Sequence, residues 1–167
     1  MAERVVAAAR PLPVAVVCDD PEVADWARHL HALVVWEPGR GLNGAVEAGV
    51  DQLAAMGVQQ VTVAHSDLPR ARGIGRLRAF PGVTLVPDRH HNGTNIVRVP
   101  TRSGFRFSYG PGSFRRHLDE CERIGLPAWV LEEPALAFDV DVPADLASID
   151  PVRHTHRPID LASAPQQ

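Results

Sequence analysis

The stretch LVPDRHHNGTNIVRVP, residues 85–100, joins two apolar runs through a polar loop. The first run, residues 83–86, ends at Pro87, and the second begins at Ile96. Runs of this length that are rich in β-branched residues are typical of strands. We therefore predict two strands with the polar loop of residues 88–95 between them, at the end of a strand, where ligands bind in an open α/β sheet.

Similar apolar runs alternate with helical patterns along the rest of the chain. Runs typical of strands are PVAVVCDD (13–20), ALVVW (32–36), QQVTVAHSD (59–67) and PAWVLE (127–132). Segments that predict helices are AERVVAAAR (2–10), PEVADWARHLHA (21–32), GRGLNGAVEAGVDQLAAMG (39–57), GIGRLRAF (73–80), PGSFRRHLDECERIG (111–125) and PADLASI (143–149). Strands that alternate with helices favour right-handed crossovers. We therefore predict an α/β fold with a mostly parallel, doubly wound sheet.

The length of 167 residues predicts one domain, residues 1–150, and a loosely ordered tail at residues 151–167. The net charge of -3 gives no general attraction to nucleic acid or to a membrane surface, and no apolar run approaches the ~20 residues of a membrane helix. Cys18 and Cys121 lie far apart, which favours a reduced, cytoplasmic protein. The 17 basic residues are all arginines, so mechanisms that need a lysine amine are excluded.

Three acidic residues stand where apolar runs end. Asp67 closes the run at 59–67, and the Leu-Pro after it delays the next helix. Asp139 and Asp141 are two residues apart, so on a strand both carboxylates face one side and repel unless a cation lies between them. Mg²⁺ is a cation that favours carboxylate and phosphate oxygens. Alternatively, Asp67 caps a turn and Asp141 caps the following helix.

A turn of small residues, GPGS at 110–113, precedes a predicted helix. Gly110 lets the backbone approach a ligand closely, and Ser113 adds a hydroxyl at a helix end whose free N–H groups attract anions. Thr94 in the loop after Pro87 offers a second hydroxyl. Because Ser at a helix start is also a common cap, the turn alone does not establish an anion site.

GRGLNGA, residues 39–45, is similar to a nucleotide-contacting loop in front of a helix. The side-chain amide of Asn43 carries both a hydrogen-bond donor and an acceptor, which is what reading the edge of a base requires. A glycine turn before any other helix has the same pattern. Asn43 is therefore a candidate nucleotide contact.

Four motifs, in chain order, resemble the phosphoenolpyruvate or 2-phospho-L-lactate guanylyltransferases of coenzyme F-420 biosynthesis, which have the nucleotidyltransferase (GT-A-like) fold. These motifs are AHSDLPRA (64–71), LVPDRHHNGTN (85–95), FSYGPGSFRRH (107–117) and FDVDVPADL (138–146). The resemblance implies transfer of GMP from GTP to the phosphate of a small phosphorylated three-carbon acid, with release of pyrophosphate and with Mg²⁺ as cofactor.

The resemblance also implies roles for individual residues. Asp67 and Asp139 would hold the metal, with Asp141 of the same segment as a further candidate ligand. Thr94, Gly110 and Ser113 would hold the phosphorylated acid. Attack of one phosphate on another brings anions together, so the reaction depends on cationic shielding and alignment more than on an acid-base residue.

The chain departs from this family at its amino end. Members begin with a strand and a Gly-rich or basic loop with a Lys that grips the triphosphate, whereas residues 1–17 are similar to the end of the first crossover helix and the second strand. We expect either that the start of the chain is assigned downstream of the true one or that the chain is a degenerate member of this family. For this chain we expect poor folding, dimerisation through an exposed strand edge, or a groove where the first strand belongs.

Two other functions stay open. Asp139-Val140-Asp141 is also a D-x-D metal motif, which is typical of nucleotide-sugar glycosyltransferases. That motif usually follows the nucleotide-binding half of the sheet, whereas here it comes after the GPGS turn. The other alternative is a degenerate, non-catalytic protein that binds phosphorylated acids.

Overall fold

The computed structural model describes residues 1–77 and 80–139. Its helices are α1 (Ala2–Ala9), α2 (Pro21–His29), α3 (Gly41–Ala55) and α4 (Ser113–Ile124), with a short 3-10 helix at Ile74–Arg76. Its strands are β1 (Ala15–Cys18), β2 (Leu33–Trp36), β3 (Gln60–Ala64), β4 (Val83–Pro87), β5 (Thr94–Pro100) and β6 (Ala128–Val130). The expected strands are confirmed, and so are the helices expected at 2–10, 21–32, 39–57 and 111–125. The helix expected at 73–80 is a 3-10 turn of three residues among the described ones, since Gly73 and Gly75 disfavour a longer helix. The helix and tail expected at 143–149 and 151–167 lie outside the described ranges. Within the described ranges, no helix combines the length and the apolar character that crossing a bilayer requires.

The ends of α2 and α4 show how local sequence sets the helices. Before α2, the Asp20 carboxylate accepts the N–H groups of Glu22 (2.7 Å) and Val23 (3.3 Å), which otherwise lack partners at a helix start. Helix α4 lies between Gly112 and Gly125, whose φ angles of 75° and 69° are left-handed and favour glycine. Both devices act over a few residues, and for that reason the sequence predicts these helices well.

The strands form two separate sheets. β1 and β2 pair in parallel, and the second sheet has the order β3-β5-β4-β6. In the second sheet β5 is antiparallel to both β3 and β4, whereas β4 and β6 are parallel. The loop of residues 88–93 joins β4 to β5, and a connection this short permits only an antiparallel pair. The α/β class is confirmed, and this hairpin makes the sheet mixed rather than mostly parallel.

Helix α3 packs against both sheets. Gly49 lies against β1, where an added Cβ would come within 2.7 Å of Val17 Cγ2. On the second sheet, Val50 belongs to the same buried core as Val61 and Val97. Among the strands that the structure describes, β1 pairs only with β2 and β3 only with β5, so each has an unpaired edge. In the described part of the chain, the two sheets are therefore joined by packing on α3 and not by pairing of strands.

Candidate active site

The polar loop between β4 and β5 is built around Asp88. This residue is 7% exposed, and its carboxylate accepts the backbone N–H groups of His90 (2.8 Å), Asn92 (3.0 Å) and Gly93 (2.5 Å). Glycine permits the close fit, since a Cβ at position 93 would lie 2.8 Å from Asp88 Oδ2. Hydrogen bonds to an ionised carboxylate are stronger than neutral ones. The loop therefore brings Thr94 to the first position of β5 in a fixed orientation.

Thr94 and Ser113, which were expected to share a ligand, lie side by side. Both residues are buried, and their hydroxyl oxygens are 3.5 Å apart. Thr94 begins β5 and Ser113 begins α4, so the sheet and the helix each supply one hydroxyl. The Gly110 carbonyl accepts the Ser113 N–H at 2.9 Å, and the Gly110 φ of 112° favours glycine. The three residues expected to hold the acid thus form one patch.

Two N–H groups at the start of α4 that were expected to be free for an anion are bonded within the protein. The Gly112 N–H donates to Asn92 Oδ1 (3.0 Å), and the Phe114 N–H donates to the Asn92 carbonyl (3.2 Å). Asn92 in the preceding loop therefore caps the helix with both its side chain and its backbone. These two N–H groups therefore have partners in the protein, whereas the hydroxyls of Thr94 and Ser113 lie beside the same helix end.

Arg116 holds the turn in front of α4. Its guanidinium donates to the Ser108 hydroxyl (2.8 Å), the Ser108 carbonyl (2.7 Å) and the Pro111 carbonyl (2.6 Å). A planar fork of N–H donors is well suited to several acceptors at once. Arg116 therefore shapes the GPGS turn, and its donors are directed at oxygens of the protein.

Asn43 lies in the first turn of α3 and contacts the segment that leads to the GPGS turn. Its Oδ1 accepts the Tyr109 N–H at 2.6 Å, and its Nδ2 lies 3.4 Å from the Tyr109 carbonyl oxygen. These contacts attach α3 to the segment that carries Gly110. The contact of Asn43 with a base stays a prediction.

A row of aromatic rings extends from the end of β3 to α4. The ring centroids of His65 and Tyr109 are 4.8 Å apart, and those of Tyr109 and His117 are 5.1 Å apart. Burial raises the pKa of the Tyr109 phenol well above its usual value, so the hydroxyl stays protonated. In the described ranges, the Tyr109 hydroxyl and His65 Nε2 are buried without a hydrogen-bond partner. The row links the strand end that carries Asp67 to the helix that carries Ser113.

The segments that carry Asp67 and Asp139 meet in the interior. Their neighbours Leu68 and Leu136 belong to one buried apolar cluster. Asp67 and Asp139 are each partly buried. The third acid, Asp141, lies outside the described residues. Packing thus joins the two segments whose carboxylates were expected to share a metal.

Two arginines lie beside Asp139. The guanidinium carbons of Arg70 and Arg89 are 4.2 Å and 4.7 Å from the ring centroid of Phe138. The Arg89 side chain also donates to the Asp139 carbonyl at 3.4 Å, and its backbone N–H donates to the Ala137 carbonyl at 2.8 Å. A cation over an aromatic face is held by the electrostatic field of the ring. Positive charge therefore lies next to the segment that carries Phe138 and Asp139.

The carboxylate of Asp67 fits a cation site. Its Oδ1 is buried and has no hydrogen-bond partner in the part of the chain that the structure describes. A buried carboxylate oxygen without a donor costs free energy, which a bound cation would offset. Mg²⁺ is commonly held by one or two carboxylates together with substrate phosphates. Residues 1–77 and 80–139 contain no group of three His, Cys, Asp or Glu residues that could hold a metal ion, so the sharing of a metal by Asp67 and Asp139 stays a prediction.

Two residues of the site, Asp88 and His117, were not expected from the sequence. His117 lies four residues after Ser113 and four before Cys121, and all three are buried on α4. Residues four apart share one face of a helix. The sequence signal for His117 was therefore its place on the same helix face as Ser113, a residue expected to bind the acid. The signal for Asp88 was weaker, since it consisted only of an acid shortly before a glycine.

Comparison with known proteins identifies relatives of this chain. The family described as "Guanylyl transferase CofC like" matches residues 1–154. A phosphoenolpyruvate guanylyltransferase from Sphaerobacter thermophilus is 36% identical over 155 residues, which cover 90% of this chain and 73% of that protein. A protein of the same name from Rubrobacter xylanophilus is 35% identical over 143 residues, or 82% of this chain and 70% of that protein. A 2-phospho-L-lactate guanylyltransferase from Methanocaldococcus fervens is 27% identical over 144 residues, or 83% and 64%.

A solved structure shares the fold. It is a protein from Desulfovibrio desulfuricans described as a nucleotide-diphospho-sugar transferase, with a TM-score of 0.60 over 78% of this chain and 64% of that chain. The two sequences are 13% identical, so the likeness concerns the fold alone. It supports the nucleotidyltransferase-like fold expected from the four motifs.

Proposed function

Because the chain belongs to the CofC-like guanylyltransferase family, we propose that it transfers GMP from GTP to a small phosphorylated three-carbon acid in coenzyme F-420 biosynthesis. A phosphate oxygen of the acid attacks the α-phosphorus of GTP, the bond from that phosphorus to the bridging oxygen breaks, and pyrophosphate leaves. The observation that carries this assignment is the match of the family over residues 1–154.

Thr94, Ser113 and Gly110 hold the phosphorylated acid in this reaction. The hydroxyls of Thr94 and Ser113 lie 3.5 Å apart, close enough to contact oxygens of one small anion. Gly110 carries no side chain that would block the approach of the ligand to the turn. Alignment of two reactants contributes up to ~7–11 kcal/mol to lowering a barrier, so a rigid acceptor site accounts for much of the catalysis.

Asp67 and Asp139 would hold Mg²⁺, with Asp141 as a third ligand. Asn43 would contact the guanine. When bound, Mg²⁺ neutralises the charge of the triphosphate and of the departing pyrophosphate. The unpartnered Asp67 Oδ1 supports this position for the ion. The attacking phosphate oxygen is already ionised at neutral pH, so the reaction needs no general base.

We favour phosphoenolpyruvate as the acceptor, with 2-phospho-L-lactate as the alternative. The relatives named for phosphoenolpyruvate are 36% and 35% identical to this chain, whereas the relative named for 2-phospho-L-lactate is 27% identical. The two acids differ only in the bond between C2 and C3, which is double in phosphoenolpyruvate and single in 2-phospho-L-lactate, so a few loop residues decide between them. The cytoplasm is the expected location of the reaction, because its nucleotide substrate is cytoplasmic.

A turnover assay tests this function. The purified chain is incubated with GTP, Mg²⁺ and one of the two acids, and pyrophosphate and the guanylylated acid are measured. We expect release only when both acid and metal are present, and faster release with phosphoenolpyruvate. The Rubrobacter xylanophilus relative serves as a positive control. Release with neither acid, under conditions in which that relative is active, would count against guanylyl transfer.

Two further outcomes distinguish the other functions. Thermal stabilisation by UDP-sugars but not by GTP would favour a glycosyltransferase that uses Asp139-Val140-Asp141. Binding of phosphoenolpyruvate that is lost in Thr94→Ala, in a chain that never turns over, would favour a non-catalytic binding protein.

A further inference from the structure

His117 is a fully buried polar side chain next to the proposed acceptor site. It is 0% exposed, and its ring packs against Phe105 and Tyr109 at centroid distances of 5.5 Å and 5.1 Å. An imidazole among aromatic rings loses its hydration, so each ring nitrogen needs a partner in the protein. Both nitrogens have one, and these partners determine where the ring carries its proton.

The Ser108 backbone sets the tautomer of His117. The Ser108 N–H lies 3.0 Å from His117 Nε2, and a backbone N–H can only donate, so Nε2 must accept. The proton of the neutral ring is therefore on Nδ1. Burial, helped by the nearby Arg116 charge, lowers the pKa of His117 to about 4, so the ring is neutral at physiological pH.

The Nδ1 proton in turn orients the Thr94 hydroxyl. His117 Nδ1 lies 3.0 Å from Thr94 Oγ1, and a protonated Nδ1 donates to that oxygen. The hydroxyl hydrogen of Thr94 must then point away from the ring. The Ser113 hydroxyl oxygen, at 3.5 Å, is at the outer limit of a hydrogen bond. The hydrogen of Thr94 is therefore available to a ligand in the patch formed with Ser113.

We propose that His117 is a positioning residue that makes the Thr94 hydroxyl a dedicated hydrogen-bond donor for the anionic acceptor substrate. This role rests on the proposed function, in which Thr94 contacts the phosphorylated acid. A hydroxyl that turned its lone pairs toward the anion would repel it, whereas a hydroxyl held as a donor forms a charge-assisted hydrogen bond. The Ser108 N–H, the His117 ring and Thr94 thus form a short relay of hydrogen bonds that ends at the substrate.

Two substitutions of His117 each keep one of the two hydrogen bonds of its ring and remove the other. In His117→Gln, the longer amide reaches the position of Nε2 and keeps an acceptor for the Ser108 N–H, but it leaves no donor at the position of Nδ1. In His117→Asn, the shorter amide occupies the position of Nδ1 and keeps a donor for Thr94, but it loses contact with Ser108. The pair therefore forms a matched test of the bond to Thr94.

We expect the KM for the phosphorylated acid to rise about tenfold in His117→Gln, the effect of losing about one hydrogen bond, and to stay within about threefold of wild type in His117→Asn. The KM for GTP stays unchanged in both. Equal increases in both variants, in proportion to their loss of thermal stability, would mean a purely structural role and overturn the proposal.

A spectroscopic measurement does not depend on turnover. Nitrogen-15 NMR of the histidine rings in the free protein reports which nitrogen is protonated. We expect the Nδ1–H tautomer for His117 at pH 7, and a shift of that nitrogen in Thr94→Val. The Nε2–H tautomer would overturn the proposal even if GMP transfer is observed.

Measurement of phosphoenolpyruvate binding tests the role of His117 even if the chain shows no turnover. Calorimetry with phosphoenolpyruvate then compares the same two variants. Loss of affinity in His117→Gln with retention in His117→Asn would support the positioning role although the proposed transfer reaction had failed. A wild-type chain that has no affinity for either acid would overturn both.

Discussion

At the scale of single residues, Asp67 is the clearest pointer to a cation, because its Oδ1 is buried without a hydrogen-bond partner among the described residues. We expect Asp67→Asn to lower Mg²⁺-dependent turnover about 100-fold or more, since loss of a charged metal ligand costs several kcal/mol in the transition state. The rise in Tm that Mg²⁺ gives the wild type should also disappear. Asp119→Asn, which removes an exposed acid paired with Arg115, is the control and should leave both properties unchanged. An Asp67→Asn chain that keeps its metal response would exclude Asp67 as a ligand.

A second prediction at the scale of single residues concerns His117 and the pH dependence of the free energy of unfolding. Burial and the charge of Arg116 lower its pKa from 6.5 to about 4, and Glu120 opposes this shift. Between these two pH values the unfolded chain binds the proton more tightly, so the contribution of His117 to stability is complete above pH 6.5 and is lost as the pH falls toward 4. The loss amounts to about 3 kcal/mol. Urea unfolding at several pH values measures it, and a slope that is identical in His117→Asn would contradict this origin.

At the scale of elements, the β4–β5 hairpin positions the site, and Asp88 sets the shape of its loop. In Asp88→Asn only one side-chain oxygen remains to accept the three backbone N–H groups, so at least one partly buried hydrogen bond is lost. We expect the free energy of unfolding to fall by about 2–3 kcal/mol and the KM for the acid to rise as Thr94 loses its fixed orientation. Urea unfolding and steady-state kinetics measure these changes. Asp119→Asn serves again as the control, and an unchanged unfolding free energy in Asp88→Asn would argue against this role of the loop.

At the scale of the whole molecule, the interruption between the two sheets predicts uneven hydrogen exchange in β3. The His65 N–H donates to β5, and the alternation of an antiparallel pair then directs the amides of Val61 and Val63 toward β5 and those of Thr62 and Ala64 toward the unpaired edge. We expect the second pair of amides to exchange at least about tenfold faster than the first. Native-state exchange followed by NMR measures the four rates. Equal protection would mean that the edge is covered, and sedimentation would then test for the dimer that an exposed strand edge favours.

The sequence by itself determined the α/β class, the positions of the strands and of four helices, and the family. These properties depend on signals that act over a few residues, such as the Asp20 cap before α2 and the glycines that bound α4, or on motifs that are read in linear order. The grouping of Thr94, Gly110 and Ser113 was also expected, because the family motifs imply it.

Only the tertiary structure decided which hydrogen bonds the groups in that patch make within the protein. The antiparallel placement of β5 follows from the length of its loop, but the bonds of Asn92 to the first N–H groups of α4 depend on how that loop folds against the helix. The contact between His117 and Thr94 joins residues 23 positions apart in the chain. The secondary-structure propensity of nearby residues does not predict a contact over this distance in sequence. The contact forms only when the apolar faces of α4 and the sheet are buried against each other. The fold thus placed a helix histidine beside the proposed acceptor site and gave two N–H groups of the helix end a partner in Asn92.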